Sequence, residues 1–347
     1  MAPPYDEEGN VCPALIGGYP FSVLEASDGT ARRYSRLMMG IRRETIEREL
    51  NTHGVSLPEL IARSDLDQWG SEPVRIGISG GRDSMGLALL AWANNQRVIG
   101  IHVDHGLRTQ SHLEGARIAD ALSPYGIGIV EYRVALQAGG NLEDRARQVR
   151  LAKLGDAATA HTMDDQAETV LANLLRGAGL VGVGGMQPGR RHPILGLRRK
   201  ELHLLCDAAR IWSFDDPSNV DPRFVRNRVR SELLPLAGGI VQRDVVPILA
   251  RTALRSQEYQ EAIEELLSVG SWRLTELPPV LARHRLNEAI SKSLGLRLDS
   301  AHLEHIREVM VGQRAAHQIV GAITVRRLDN ALVFDDSSGN RLLRLPV

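Results

Sequence analysis

From Val74 the chain alternates between short, continuously apolar runs and longer stretches whose apolar residues recur every three or four positions. VRIGIS (74–79), RVIGIHV (97–103) and IGIVEYRV (127–134) are β-branched and lack polar alternation, the pattern of strands buried on both faces. MGLALLAWA (85–93), SHLEGARIADALSPYG (111–126), NLEDRARQVRLAKL (141–154) and DDQAETVLANLLRGAG (164–179) have helical spacing, with Gly177 and Gly179 stopping the last. DAATAH (156–161) reads as a short strand or strand end. Strands separated by helices predict βαβ units and a parallel sheet with right-handed crossovers. Ligands of such sheets sit at the carboxyl ends of the strands. SGGRDS (79–84), HVDHGLR (102–108) and TAHTMDD (159–165) all fall there.

The flanks are patterned differently. Residues 1–37 carry five acidic and three basic residues in a weak pattern; they read as a disordered extension without strand, core face or motif. IRRETIEREL (41–50) predicts a helix. After residue 240, periodic segments predict helices over 243–268, 279–294 and 299–312. QIVGAITVRRL (318–328) and NALVFDD (330–336) are strand-like runs around an Asp329-Asn330 turn. The expected organisation is an extension (1–37), an α/β nucleotide-binding domain (38–236) and a mainly helical domain (240–347).

Composition narrows the chemistry. Aromatic residues are only 4% of the chain, so a grip on nucleic acid has to rely on arginine more than on base stacking. The net charge of zero excludes a uniformly basic coat, yet residues 187–230 hold ten Lys and Arg against five Asp and Glu. Cys12 and Cys206 are the only cysteines, which argues against a disulfide scaffold, zinc ribbon or iron–sulfur site. No apolar stretch reaches the about 18 residues of a membrane span, and the start MAPPYDEEGN is acidic where a secretory signal is basic. A cytoplasmic protein without membrane contact is expected.

SGGRDS joins a buried strand to a predicted helix. Gly80 and Gly81 permit a sharp turn and close approach of bare backbone N–H groups. Arg82, Asp83 and Ser84 then fall at the helix N-terminus, whose orphan donors and positive dipole end suit an anion. The spacing is not GxxxxGK[ST], and no lysine is present. The same string also suits an ordinary βα turn. Asp165 and Glu168 form an i, i+3 pair on one helix face; they suit a cationic amine or Mg²⁺, whereas helix capping by Asp164 is the plainer alternative. Glu143 and Arg147 suit a solvent-side ion pair. Arg223, Arg226, Arg228 and Arg230 can bind phosphate or form a solvated face. His102, Asp104 and His105 could suggest a metal site, but successive strand residues point to opposite faces, and a strand-end turn is the plainer reading.

In order and spacing, SGGRDS, HVDHGLR, NLEDRARQVR, TAHTMDDQAETVLANLLRGAGLVGVGGM, HPILGLRRKEL and DDPSNVDPRFVRNRVRSELLP resemble the catalytic domain of the tRNA(Ile)-lysidine synthetase family, over residues 74–236. SGGRDS itself resembles the loop of the ATP pyrophosphatases. The chain departs from the family at Leu151, where tyrosine is usual, and in its long N-terminal extension. The resemblance implies an adenine nucleotide α-hydrolase-like, PP-loop fold and an ATP-dependent ligase. Such an enzyme joins L-lysine to C2 of the wobble cytidine of a tRNA(Ile) with a CAU anticodon, through an adenylated cytidine. It implies that Ser79, Gly80, Gly81, Arg82, Asp83 and Ser84 hold ATP, with Asp83 on Mg²⁺. Asp165 and Glu168 are then expected to bind lysine, with His161 as proton acceptor. Arg147 and Arg226 are expected on the adenylate or the flipped cytidine, and Arg198, Arg199, Lys200, Arg228 and Arg230 on tRNA. A homodimer is compatible with the sequence. The competing readings are a 2-thiolase of the same superfamily, which needs more cysteines, a small-molecule adenylating ligase, which has no use for the basic segment, and a non-catalytic binding module.

Overall fold

The first two apolar runs pair directly with each other in a parallel sheet, and the rest of the first half is arranged around them. The structure is a computed structural model that describes residues 31–34, 42–104, 113–134, 142–214, 221–268, 273–296 and 298–347. It divides into two compact units, one of the described residues in Met1–Ala172 and Met186–Ala250, the other of those in Asn173–Gly185 and Arg251–Val347.

In the first unit, β1 (Ala31–Tyr34), α1 (Arg43–Thr52) and α2 (Leu57–Ala62) precede β2 (Val74–Gly77), α3 (Arg82–Ala93), β3 (Val98–Asp104), α4 (Glu114–Leu122), β4 (Gly128–Arg133), α5 (Leu142–Leu154) and α6 (Met163–Leu175). The sheet order is β1-β4-β3-β2, with β2, β3 and β4 parallel. β1 is antiparallel to β4, with Ala31 opposite Tyr132. This corrects the expectation that residues 1–37 contribute no strand: the edge of β4 supplies backbone partners that the local pattern of ARRY does not announce. The DAATAH segment reaches the opposite edge only as a single bridge, Ala158 donating to Arg75 and accepting from Gly77. It is a strand end, the second of the two options.

The helix α3 is apolar on every side because it is interior: Met85, Leu87, Leu89 and Leu90 have no exposed surface. It shares one core with Val74 and Ile76 of β2, Ile129 of β4 and Ile118 of α4. On the other face of the sheet, Leu154 of α5 packs with Ile101 of β3. Alternate side chains of these strands therefore feed two layers.

After α7 (Leu180–Val183), which belongs to the second unit, the chain returns as α8 (Arg199–Ala208). The sequence reading assigns no element there. Leu202, Leu205 and Cys206 nevertheless form a buried stripe against α3. Gly86 permits the contact: a Cβ there would lie 3.0 Å from Leu202 Cβ and 3.2 Å from the Leu202 carbonyl oxygen. Next come α9 (Val225–Arg228), a π turn over Val229–Leu233, and α10 (Leu234–Val241).

The helix α11 (Val246–Ser268) leads into the second unit, where α12 (Pro279–Leu294) and α13 (Ser300–Met310) match the expected helices closely. They share a core with an antiparallel sheet of β5 (Ala316–Ile319), β6 (Ile323–Leu328), β7 (Ala331–Asp335) and β8 (Arg341–Pro346), in that order. QIVGAITVRRL is thus two strands and not one run, because Gly321 (φ 78°) and Ala322 (φ 59°) reverse the chain between them. Asp329, at φ 53°, makes the expected turn between β6 and β7.

Candidate active site

The loop after β2 turns at Gly80, whose φ of 81° lies in the region that glycine favours. The Ser84 hydroxyl closes it, donating to the Gly81 carbonyl at 2.9 Å and accepting from the Ser79 N–H at 3.2 Å. The Phe214 N–H donates to the Gly80 carbonyl at 2.8 Å and ties the loop to the chain beyond α8. Gly81 is the N-cap of α3 and offers no capping side chain, so the helix start faces the loop with backbone donors. Arg82 turns away to an ion pair with Asp207.

Asp83 points into a cluster of charges. Its Oδ2 accepts from Arg199 Nε and its Oδ1 meets His203 Nε2, both at 3.1 Å. Arg199 continues to Asp165 Oδ1 at 2.9 Å and to Glu168 Oε1 at 3.2 Å. Two further guanidinium groups converge on the same carboxylates. Arg226 donates to Glu168 Oε2 and Asp165 Oδ1, each at 2.8 Å, and Arg230 donates to Glu168 Oε1 at 2.7 Å. Thr162 supplies its N–H and hydroxyl to Asp165 Oδ2, both at 2.8 Å. Glu168 is completely buried, and a buried carboxylate is tolerable only with such partners.

The electrostatics follow from that packing. Burial pushes the Asp165 carboxyl up, but Arg199 and Arg226, with the Thr162 N–H, hold it below its ordinary value. Burial works against the Arg199 charge, yet Asp165, Asp83 and Glu168 raise its pKa further. The expected capping by Asp164 is not what forms: Asp164 lies inside α6, and Thr162 before it accepts from the Asp165 N–H at 3.4 Å. The Asp164 carboxylate instead accepts from the Arg199 N–H at 2.8 Å, at the start of α8, and from the Arg198 fork at 3.1 Å. A cleft of about 300 Å³ opens beside the cluster, with Glu168, Arg199 and Arg230 as polar lining and Leu234, Val245 and Val246 as an aliphatic wall.

A second group sits where DAATAH ends. The Thr159 hydroxyl lies 2.8 Å from Nδ1 of both His161 and His192 and donates to the Arg191 carbonyl at 3.1 Å. The two rings meet edge to face at 5.0 Å. Burial, then the His161 ring and Arg191, push His192 down to about 4, so it is neutral near pH 7.

The structure thus brings Asp83, Asp165, Glu168 and Arg226 together. His161 sits at the end of DAATAH with Thr159 and His192. Arg147 is on α5, its side chain outside the described set, as is Glu143; His105 and the DDPSN stretch (215–219) also lie outside the described residues. The expected RNA-facing arginines are placed otherwise. Arg199 and Arg230 hold buried carboxylates, and Arg198 holds Asp164 and Asp244. Only Lys200 and Arg228 of that set are exposed, Arg228 with Glu232. The sequence reading missed His203, Thr162 and His192. His203 follows Arg199 by four residues and shares its helix face, a signal usable only once α8 is known to be a helix. Among the described residues no three metal-ligating side chains gather, and no single helix is long and apolar enough to cross a membrane. One carboxylate, Asp83, beside a phosphate loop does suit Mg²⁺, which takes most of its ligands from phosphates and water.

Residues 51–237, more than half of the chain, match the PP-loop domain family. A tRNA(Ile)-lysidine synthase from Leifsonia xyli subsp. xyli is 34% identical over 283 residues, covering 72% of this chain and 83% of that protein. One from Streptomyces coelicolor is 33% identical over 297 residues, covering 75% and 84%. One from Mycobacterium tuberculosis is 38% identical over 224 residues, covering 60% and 66%. Among solved structures, a U34-tRNA thiolase from Methanococcus maripaludis with its 4Fe–4S cluster overlays with a TM-score of 0.43 at 17% identity, over 63% of this chain and 84% of that one.

Proposed function

The chain belongs to the tRNA(Ile)-lysidine synthase family and carries its PP-loop domain, and from this we propose that it ligates L-lysine to C2 of the wobble cytidine of a CAU-anticodon tRNA(Ile) with ATP. The observation that supports this best is the adjacency of a phosphate loop and a carboxylate pair, tied through Asp83 and Arg199. The C2 oxygen of cytidine is a poor leaving group. Its attack on the α-phosphate of ATP expels pyrophosphate and leaves an adenylate. The lysine ε-amine then adds at C2, AMP departs, and the amine proton passes to His161. The product pairs with A instead of G, so the tRNA reads AUA.

In this reading the Ser79–Ser84 loop and the start of α3 hold the pyrophosphate portion of ATP, mostly by positioning and charge neutralisation. Asp83 would hold a Mg²⁺, which would supply charge neutralisation on the triphosphate. The lysine stem lies along Leu234, Val245 and Val246, and its ammonium groups approach Asp165 and Glu168. An entering ammonium exchanges with a guanidinium; Arg226 and Arg230 are 42% and 35% exposed, against 15% for Arg199, and are the ones to yield. Arg226 is then free for the adenylate. Lys200 and Arg228 remain for RNA phosphates, and the modified base leaves its stack within the anticodon loop. A tRNA substrate goes with a cytoplasmic setting.

A sulfur-transferring alternative is disfavoured by the cysteines. Burial pushes the Cys206 thiol up to about 12, far from the thiolate that sulfur chemistry needs. The test is pyrophosphate release with tRNA(Ile), with and without lysine, by wild type and Asp83→Ala. Release that requires this tRNA, followed by lysine-dependent AMP release, is expected, and Asp83→Ala should lose both while keeping its thermal midpoint. Release without RNA would point to a small-molecule ligase, and normal release by Asp83→Ala would overturn the loop assignment.

A further inference from the structure

We propose that Arg199 is a positioning residue of this reaction, the side chain that sets the phosphate loop and the carboxylate pair in register with each other. The inference rests on the reading above. Each nitrogen of its guanidinium is committed to a different carboxylate: Nε to Asp83 at the start of α3, Nη2 to Asp165 and Nη1 to Glu168 on α6. A planar fork of this kind fixes direction as well as distance. The three carboxylates are therefore oriented by one rigid group.

The backbone carrying that group is held from two sides. On the α6 side, the Arg199 N–H donates to Asp164 Oδ2 at 2.8 Å. On the α3 side, Gly86 lets Leu202, one turn after Arg199, approach so closely that a methyl group at 86 would be in unusually tight contact with it. The start of α8 is clamped further by Glu201, which accepts from the Arg198 N–H at 2.7 Å and from both Nη atoms of Arg63 at 2.7 and 3.1 Å. Arg199 itself is only 15% exposed. An arginine meant for RNA phosphates would present its fork outward, and this one presents it to three acids.

The two reactants of the ligation enter on opposite ends of this fork, ATP at the Asp83 end and the amine at the Asp165–Glu168 end. Lysine at position 199 preserves the charge but supplies a single nitrogen, which can meet one carboxylate well and not three. The consequence is specific: one substitution, at the group that joins the two sets of acids, should weaken the use of both substrates together.

The experiment compares Arg199→Lys and Arg199→Met with wild type in the full chain. Steady-state pyrophosphate and AMP release give KM for ATP and for lysine, tRNA(Ile) binding is followed against salt, and thermal midpoints monitor folding. Arg199→Lys is expected to fold like wild type and to raise both KM values on the order of tenfold or more, with the tRNA affinity and its salt slope unchanged. Arg199→Met should be at least as impaired; if it fails to fold, the lysine variant carries the test. Wild-type KM values for both substrates, or a rise in only one of them, would overturn the proposal. A flattened salt slope would place Arg199 on the RNA and overturn it as well. Were the wild type to show no tRNA-dependent turnover, the reaction assigned above would be what fails. ATP binding by calorimetry would then decide for Arg199: weaker binding by Arg199→Lys supports the tie to Asp83, and unchanged binding overturns it.

Discussion

Glu168 in the first unit and Glu304 in the second each accept from more than one arginine, but the two carboxylates stand in different solvents. Glu304 is 36% exposed and meets Arg283 and Arg307 on the flanks of α12 and α13. Glu168 has no exposed surface and meets Arg199, Arg226 and Arg230. On the surface, water and salt screen such a pair, and its contribution to stability is small. In the interior the carboxylate has lost its hydration, so the guanidinium groups replace water and cannot be removed without leaving a buried charge. The same residue types therefore make a solubilising face in one place and a fixed, high-field site in the other. A cleft lies beside Glu168.

That contrast can be broken most directly by removing each acid. Glu168→Gln should lose about 3 kcal/mol of stability, the scale of a broken buried pair, and should weaken lysine use by on the order of a hundredfold while tRNA adenylation survives. Denaturant unfolding and lysine-dependent AMP release measure the two effects. An unchanged lysine dependence would return Glu168 to a structural role.

A smaller effect is expected from the histidines, which sharpen the comparison because both units bring imidazoles together. His192 is pushed down to about 4 by burial, the His161 ring and Arg191, and His317 is lowered by burial and by His305 and His302. A histidine with a depressed folded pKa is neutral when folded and protonates more readily when unfolded. Its contribution is complete above the unfolded value of about 6.5 and fades as pH falls towards the folded one. The first unit should therefore lose stability between pH 6.5 and 4, and His192→Gln should flatten that part of the profile. Asp164 and Asp165 are lowered from 3.8, so their losses come at more acid pH and do not obscure it. An identical profile for the variant would remove His192 from this account.

The smallest effect belongs to the exposed acid. Glu304→Gln should shift the thermal midpoint by no more than about 2 °C and leave activity alone. A shift as large as that of Glu168→Gln would erase the distinction between the two regions.

The sequence by itself determined what is local. Continuous β-branched runs identified β2, β3 and β4, and three-to-four spacing identified α3 to α6 and the helices α11 to α13, because side-chain direction repeats with the backbone period. The Gly-Gly turn placed Asp83 and Ser84 at a helix start, and the i, i+3 spacing placed Asp165 and Glu168 on one face. Tertiary structure decided which charges meet. Arg199 reaches Asp83 across 116 residues of chain, and nothing in RRKEL distinguishes an arginine that will face three acids from one that will face water. The same holds for β1, whose partner strand lies nearly a hundred residues away, and for α8, whose apolar stripe has meaning only against Gly86. Periodicity is a property of neighbours along the chain, whereas burial and ion pairing depend on which segments the core brings together. The loop and the acids were therefore legible in advance, and the guanidinium that joins them was not.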